Sequence, residues 1–272
     1  MIFAETDLIE EVDCFLKYRV DINCDLGESY GHFKVGHDAE IMPYITSANI
    51  ACGFHAGDPG TMMETVQLAK RFRVAVGAHP GFPDLLGFGR REMKLSAQEL
   101  ENYVIYQIGA LQTIAQTRKM RLQHIKLHGA LYNMAAKDED ISRIIIKAVQ
   151  SINPKLILFA PAKSVTAKIA SRMCQPVAFE VFADRAYNSD GTLVPRSKKD
   201  SVIENPELVV KRVAQMVTDG TVSALNGDIV ELGEVHTVCI HGDTLTAIEL
   251  AKKLKNKLTL ANVEVKAVVT FL

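Results

Sequence analysis

The chain has 272 residues, of which 48% are hydrophobic, so it is long enough to bury a sizeable core. Its 31 basic residues nearly balance its 32 acidic residues, and the resulting net charge of −1 argues against general electrostatic attraction to nucleic acid or to anionic membranes. The sequence has no apolar run of roughly 18 residues or more, so no membrane span is predicted.

Residues 1–18 precede the first predicted strand. They include four acidic residues among the first eleven and have no basic region at their start, which argues against a secretory signal. Their apolar residues recur with helical spacing, so we expect a short N-terminal helical extension of one domain that spans 1–272. The five cysteines lack paired short spacings, which is typical of reduced thiols and predicts a cytoplasmic protein.

Short apolar runs alternate with longer amphipathic stretches along the rest of the chain. The runs are bounded by Gly, Pro or Asp, as is typical of buried strands. They predict strands at 19–24, 47–52, 74–79, 124–129, 155–161, 177–184 and 236–243. A further run at 263–271 predicts a closing strand.

The amphipathic stretches carry helix start signals. These are an N-cap acid before proline at 58–59, a capping box at 96–99 that opens a helix to about Thr117, an asparagine before proline at 205–206, and Thr244. Strands that alternate with helices predict an α/β fold with a parallel sheet. Two architectures fit this alternation, an open doubly wound sheet and a closed barrel.

Polar residues stand at or just after the carboxyl ends of six predicted strands. In a barrel these ends meet on one face, whereas in an open sheet only a switch point would hold a ligand, so this distribution favours a barrel. The strand-end candidates are Asn23, Asp25, Glu28, His55, Asp58, His79, Lys126, His128, Glu180, Asp184, Arg185, His241 and Asp243. Arg90 ends a glycine-rich loop that could close over a substrate. His124 is a weaker candidate because it begins a strand, and Asn49 could serve the structure alone.

The residue types of this ring predict a class of chemistry. Carboxylates, imidazoles and a lysine can transfer protons and stabilise a negative oxygen at an amide carbon. Aspartate and histidine can also hold a catalytic divalent metal. Both patterns predict amide or lactam hydrolysis. The sequence lacks a phosphate-binding P-loop, a dinucleotide fingerprint, a CxxC pair and a GxSxG elbow, which argues against dehydrogenase, thiol-redox and serine-hydrolase chemistry.

Several long motifs occur in the order that is familiar from one protein family. They are DINCDLGESYG (21–31), SANIACGFHAGDP (47–59), GAHPGFPDLLGFGRR (77–91), KLHGALYN (126–133), FEVFADRAYNSDGTLVPR (179–196) and CIHGDT (239–244). With these motifs the chain resembles the LamB/YcsF family from residue 19 to the last helix. Leu127 departs from the family pattern, which usually has proline there, and Leu245 replaces a second proline.

The resemblance implies a seven-stranded parallel (β/α) barrel of the glycoside hydrolase/deacetylase type. It also implies ATP-dependent opening of 5-oxo-L-proline to L-glutamate, with ATP and Mg²⁺ supplied to a complex that contains two further subunits. The residues then expected to be catalytic are Asp25, Glu28, His55, His79, Lys126, His128, Asp184 and His241. Those expected to bind substrate are Asn23, Asp58, Arg90, Glu180, Arg185 and Asp243.

Individual roles stay open within this set. Asp25, Glu28 or His55 could act as the base, while His128 or Lys126 could stabilise the developing negative oxygen. Arg185 or Arg90 could grip the substrate carboxylate. Two alternatives remain: a metal-dependent deacetylase or amidohydrolase that works alone through Asp25, His55 and His128, and a non-catalytic subunit that only binds lactams. A homo-oligomer is compatible with each of them.

Overall fold

The computed structural model describes residues 18–196, 198–240 and 245–272. Its strands, in chain order, are β1 (Tyr18–Leu26), β2 (Ser47–Ala51), β3 (Ala75–His79), β4 (Leu122–Lys126), β5 (Ile157–Pro161), β6 (Val177–Phe182), β7 (Thr221–Ser223), β8 (Ile229–Glu231), β9 (Thr237–Ile240) and β10 (Val263–Val265). Strands β1 to β6 lie side by side in chain order, and β9 pairs with both β6 and β1. The predicted seven-stranded parallel barrel is therefore confirmed.

Helices cover the outside of the barrel. They are α1 (Asp38–Ile41), α2 (Pro59–Phe72), α3 (Ala97–Thr117), α4 (Gly129–Ala135), α5 (Glu139–Ile152), α6 (Val165–Arg172), α7 (Pro206–Asp219) and α8 (Leu245–Leu260), with 3₁₀ turns at Met42–Tyr44 and Val268–Thr270. Every residue of β2 and β3 is buried, because one face of each strand meets the helices and the other fills the barrel. None of the described helices is long and apolar enough to cross a bilayer.

The helices begin where their sequence signals predict. Asp58 accepts a hydrogen bond from the Thr61 amide at the start of α2, and Ser96 and Glu99 form a reciprocal capping box at the start of α3. Asn205 caps the start of α7 by accepting hydrogen bonds from backbone amides, as Asp58 does at α2. The predicted N-terminal helix at 1–18 lies outside the described residues except for Tyr18, which belongs to β1.

The last predicted strand differs from the structure. The predicted strand over 263–271 is confirmed only for its first three residues, which form β10, and the chain then forms a 3₁₀ turn at Val268–Thr270. The first residues of β1, Tyr18 to Val20, extend beyond the barrel and pair with β10. Strand β10 therefore adds to the sheet outside the closed ring. The antiparallel pair of β7 and β8 was also not predicted, because strands of three residues are too short to show an apolar run.

A buried carboxyl group lies inside the barrel, near the amino ends of the strands. Asp21 accepts hydrogen bonds of 2.6 Å from the hydroxyls of Thr46 and Ser47, and a third from Thr237. Burial raises the pKa of Asp21 to about 6, and these three hydroxyls only partly oppose the rise. The folded state therefore binds a proton at Asp21 more tightly than the unfolded chain does.

Because Asp21 ionises in the folded state, we expect the free energy of unfolding to fall as the pH rises from about 4 to 6. A folded-state pKa above the unfolded value favours folding below that window, and the contribution disappears as the group ionises. A rise of the Asp21 pKa to about 6 corresponds to roughly 3 kcal/mol of stability. We expect Asp21→Asn to lose this pH dependence, as measured by urea unfolding at pH 4, 5, 6 and 7. The exposed Asp140→Asn variant should keep it, and equal slopes for all three proteins would contradict the assignment.

Candidate active site

The carboxyl ends of the barrel strands open into a cavity of about 1150 Å³. Because all seven barrel strands are parallel, the residues that follow them converge on this one end. Eight of the predicted site residues line the cavity: Asp25, Glu28, His79, Arg90, Lys126, His128, Glu180 and Arg185. A cavity of this size has room for a lactam together with part of a larger group.

The polar side chains at this end of the barrel form two groups. A buried lysine lies at the centre of the first group. Lys126 Nζ lies 2.9 Å from Asp25 Oδ1 and 2.9 Å from Glu180 Oε1. It also lies 3.2 Å from Asn23 Oδ1 and 3.0 Å from Cys239 Sγ. Burial alone would lower the pKa of Lys126, but the neighbouring carboxylates raise it well above its ordinary value. Lys126 is therefore a fixed positive charge between two carboxylates.

Two further side chains hold these carboxylates in place, and neither was among the predicted site residues. Asn49 Nδ2 donates hydrogen bonds of 2.8 Å to Asp25 and to Asn23, and Tyr132 donates its hydroxyl to Glu180. One signal was present in the sequence. Tyr132 belongs to the same motif, KLHGALYN (126–133), as Lys126 and His128.

A second group consists of Glu28, His55, His79 and His128, which we name the histidine cluster. One ligand atom from each member lies within 4.8 Å of the others. Glu28 Oε1 is 3.3 Å from His55 Nε2 and 3.6 Å from His128 Nδ1, and His128 Nδ1 is 2.9 Å from His79 Nε2. These donor types and spacings could hold a divalent metal ion.

The environment gives the three histidines different proton affinities. Burial, together with neighbouring histidines, lowers the pKa of His55 and of His128 well below the ordinary value, so both favour the neutral form. Burial has the same tendency at His79, but the Asp25 carboxylate 3.4 Å from its Nε2 outweighs it and raises the pKa. The cluster thus combines neutral imidazoles with one that more readily holds a proton, a combination that suits acid–base chemistry.

The glycine-rich loop before Arg90 lies directly on the histidine cluster. Gly89 has φ +61°, and a Cβ atom there would lie 2.7 Å from His55 Cβ, so only glycine fits. The Phe88 carbonyl lies 2.8 Å from His128 Nε2, which ties the loop to the cluster. The Arg90 guanidinium lies 5.0 Å from the centre of the Phe88 ring, on the cavity wall. Arg91 is used differently, since it forms an ion pair with Asp84 of the same loop.

This cavity belongs to a chain with many relatives. The LamB/YcsF family profile matches residues 20–272. The chain belongs to the LamB/YcsF family. Across 247 residues it is 54% identical to a Pyrococcus abyssi protein that is named as one of the subunits of 5-oxoprolinase, and the match covers 91% of this chain and 96% of the relative. A Bacillus subtilis protein of the same name is 51% identical over 251 residues, covering 92% and 97%.

A solved structure is similar to this LamB/YcsF chain over nearly its whole length. The crystal structure of a lactam utilization protein from Thermus thermophilus superposes with a TM-score of 0.86 at 47% identity, covering 92% of this chain and 99% of that one. The resemblance drawn from the motifs is therefore confirmed. The family motifs supply residues at the carboxyl end of the barrel, where the cavity lies.

Some predicted residues of the LamB/YcsF site lie outside the cavity wall. Asn23 and His55 are fully buried behind it and contact residues that line it. Asp58 caps α2 and accepts from the Gly31 amide at 2.8 Å, and these backbone hydrogen bonds lower its pKa. Asp184 follows β6 but is not among the described residues that line the cavity. His241 and Asp243 fall outside the described residues.

Arg185 reaches the cavity, but its guanidinium is engaged by its own loop. Its Nη2 donates to the Val194 carbonyl and its Nε to the Ser201 carbonyl. Burial lowers the pKa of Arg185, with Arg196 nearby adding to the effect. These bonds fold the loop after β6 across the barrel end. Arg90 is therefore the better placed of the two predicted arginines to bind a substrate carboxylate.

Proposed function

We propose that this chain is the lactam-opening component of a cytoplasmic, ATP-dependent 5-oxoprolinase. In this proposal it converts 5-oxo-L-proline to L-glutamate together with two further subunits, with ATP and Mg²⁺ as co-substrate. The names of the Pyrococcus abyssi and Bacillus subtilis relatives support the proposal. The observation that carries it is that two carboxylates, a lysine and two histidines converge on one cavity in such a chain, namely Asp25, Glu28, Lys126, His79 and His128.

The cavity can serve each step of lactam opening. Glu28 accepts a proton from the water that attacks C5, and His55 Nε2, 3.3 Å away, orients its carboxylate. The Lys126 charge stabilises the negative charge that develops when water attacks C5. The C5–N bond then breaks and the nitrogen takes up a proton. Arg90 holds the substrate carboxylate. ATP first phosphorylates the amide oxygen, which makes C5 more electrophilic. Cleavage of the C5–N bond after the attack of water therefore leaves γ-glutamyl phosphate, and a second water displaces phosphate to give L-glutamate.

The test measures glutamate release from 5-oxoproline by the chain with its two partner subunits. We expect release only when ATP is present, and a loss of about 100-fold or more for Glu28→Gln because a general base is removed. Glu234→Gln is the matched control, since Glu234 is 74% exposed just before β9, at the opposite end of the barrel. It should release glutamate at the wild-type rate.

Other outcomes would favour the alternatives. Glutamate release by the chain alone, without ATP, would indicate a stand-alone hydrolase. Saturable binding of 5-oxoproline without turnover, even with both partner subunits and ATP, would indicate a lactam-binding protein. Either result would overturn the proposal. Full activity of Glu28→Gln in the complex would keep the reaction but remove Glu28 from the role of base.

A further inference from the structure

Two backbone carbonyls fix the protons on His79 and His128. His79 Nδ1 lies 2.7 Å from the Lys126 carbonyl, and His128 Nε2 lies 2.8 Å from the Phe88 carbonyl. A carbonyl oxygen only accepts hydrogen bonds, so each of these nitrogens carries a hydrogen. In the neutral imidazoles the lone pairs are then on His79 Nε2 and His128 Nδ1.

These two lone pairs face each other. His79 Nε2 and His128 Nδ1 are 2.9 Å apart, and their rings are perpendicular, at 89°. Two lone pairs at this distance repel unless a positive species lies between or beside them. Asp25 Oδ2 lies 3.4 Å from the first nitrogen, and Glu28 Oε1 lies 3.6 Å from the second. These three donor–donor distances match the edges of a coordination shell whose ligands lie about 2.0–2.2 Å from the ion.

We propose that His79 Nε2, His128 Nδ1, Asp25 and Glu28 bind one divalent transition-metal ion. Imidazole nitrogens with carboxylate oxygens suit Zn²⁺ or a similar first-row ion better than Mg²⁺ or Ca²⁺. The carbonyls that hold the far nitrogens of the two rings are the outer partners that metal-bound histidines usually have. A bound ion would supply Lewis-acid polarisation of a carbonyl or activation of a water.

His55 is placed outside this ligand set for two reasons. Its ring stacks on His128 with centres 3.6 Å apart and an angle of 2°, so no single point lies in the plane of both rings. An ion near the plane of one ring would be far out of the plane of the other. In addition, His55 Nδ1 has no hydrogen-bond partner among the described residues, while Nε2 faces Glu28 at 3.3 Å. A hydrogen on Nε2 avoids a buried unpaired donor and leaves no lone pair towards the ion.

Compared with the ligands suggested by the sequence (Asp25, His55 and His128), this set has His79 in place of His55 and adds Glu28. His55 becomes a positioning residue that donates to Glu28 and packs against His128. This difference can be tested by binding alone. Gln places its amide near an imidazole Nε2 and Asn places it near Nδ1, so His79→Gln and His128→Asn remove each nitrogen with little change in volume. His55→Gln is the matched variant for a residue that only orients a ligand.

The experiment titrates the chelator-treated full chain with ZnSO₄ by calorimetry, without substrate or partner subunits. We expect one Zn²⁺ per chain, no saturable binding in His79→Gln or His128→Asn, and retained stoichiometry in His55→Gln with affinity lowered about 10- to 100-fold. The exposed His32→Gln variant should bind as the wild type does. Thermal unfolding of each variant without metal checks that it folds, and visible d–d bands from Co²⁺ in the wild type give a second readout that needs no variant.

Two outcomes would overturn the proposal. Equal loss of Zn²⁺ binding in His55→Gln and His79→Gln would reject the ligand set. The absence of both Zn²⁺ and Co²⁺ binding in the wild type would mean that His79 and His128 share a proton. Because these measurements need neither ATP nor lactam, they remain informative whether or not the chain opens 5-oxoproline.

Discussion

Lys126→Met should lower the free energy of unfolding by about 3–5 kcal/mol, the usual cost of removing one partner from a buried ion pair. The lysine is 2.9 Å from a carboxylate oxygen of both Asp25 and Glu180, and the Glu180 side chain is fully buried. Without the lysine both carboxylates lose the ammonium group that lies between them. Urea unfolding at pH 7 measures the loss, and glutamate release by the complex should fall with it.

The cause of this loss can be separated from a loss of packing. Lys163→Met changes an exposed lysine on the rim of the same cavity and should leave stability unchanged within about 0.5 kcal/mol. Lys126→Met/Glu180→Gln also removes one of the two carboxylate charges beside the lost ammonium group and should recover part of the stability. A double variant no more stable than the single one would contradict the electrostatic explanation.

Much of the barrel could be predicted because its strands are short, apolar and regularly separated by helices. The predicted strands at 47–52 and 74–79 correspond to β2 and β3 within one residue at each end. The prediction is less complete for β1, which has nine residues and pairs with β10, β2 and β9. Pairing of the two ends of one strand with different neighbours depends on the tertiary fold, and the apolar pattern contains no sign of it.

The candidate site was predictable in outline for a similar reason. Parallel strands bring their carboxyl ends together, so Asp25, His79 and Lys126 could be assigned to one face from their positions alone. Which contacts they make could not be predicted, because contacts depend on side-chain directions and on loop paths. Arg185 is an example: its charge and position suggest substrate binding, but the loop after β6 returns and surrounds its guanidinium with carbonyl oxygens.

Gly77→Ala should destabilise the protein by about 3 kcal/mol, at the upper end of the usual cost of overpacking. A Cβ atom at Gly77 would lie 2.1 Å from two atoms of the His124 ring. The ring has little freedom to move aside, because it stacks on Phe159 with centres 4.3 Å apart and its Nε2 lies 2.8 Å from Asn49 Oδ1. The pairing of β3 with β4 shifts register at this position, next to Val76. Chemical unfolding of both proteins at pH 7 measures the difference.

The same substitution should also impair the candidate site, because His124 holds Asn49 and Asn49 donates to Asp25 at 2.8 Å. We expect Gly77→Ala to lower kcat for glutamate release in the complex even at temperatures where it is fully folded. Gly109→Ala is the control: Gly109 lies in α3 with open space at its Cβ position, so alanine should leave stability unchanged or raise it by up to about 1 kcal/mol. Gly77→Ala/His124→Ala, which removes the ring, should regain stability but not kcat. Wild-type kcat in that double variant would show that His124 fills the barrel without positioning Asp25.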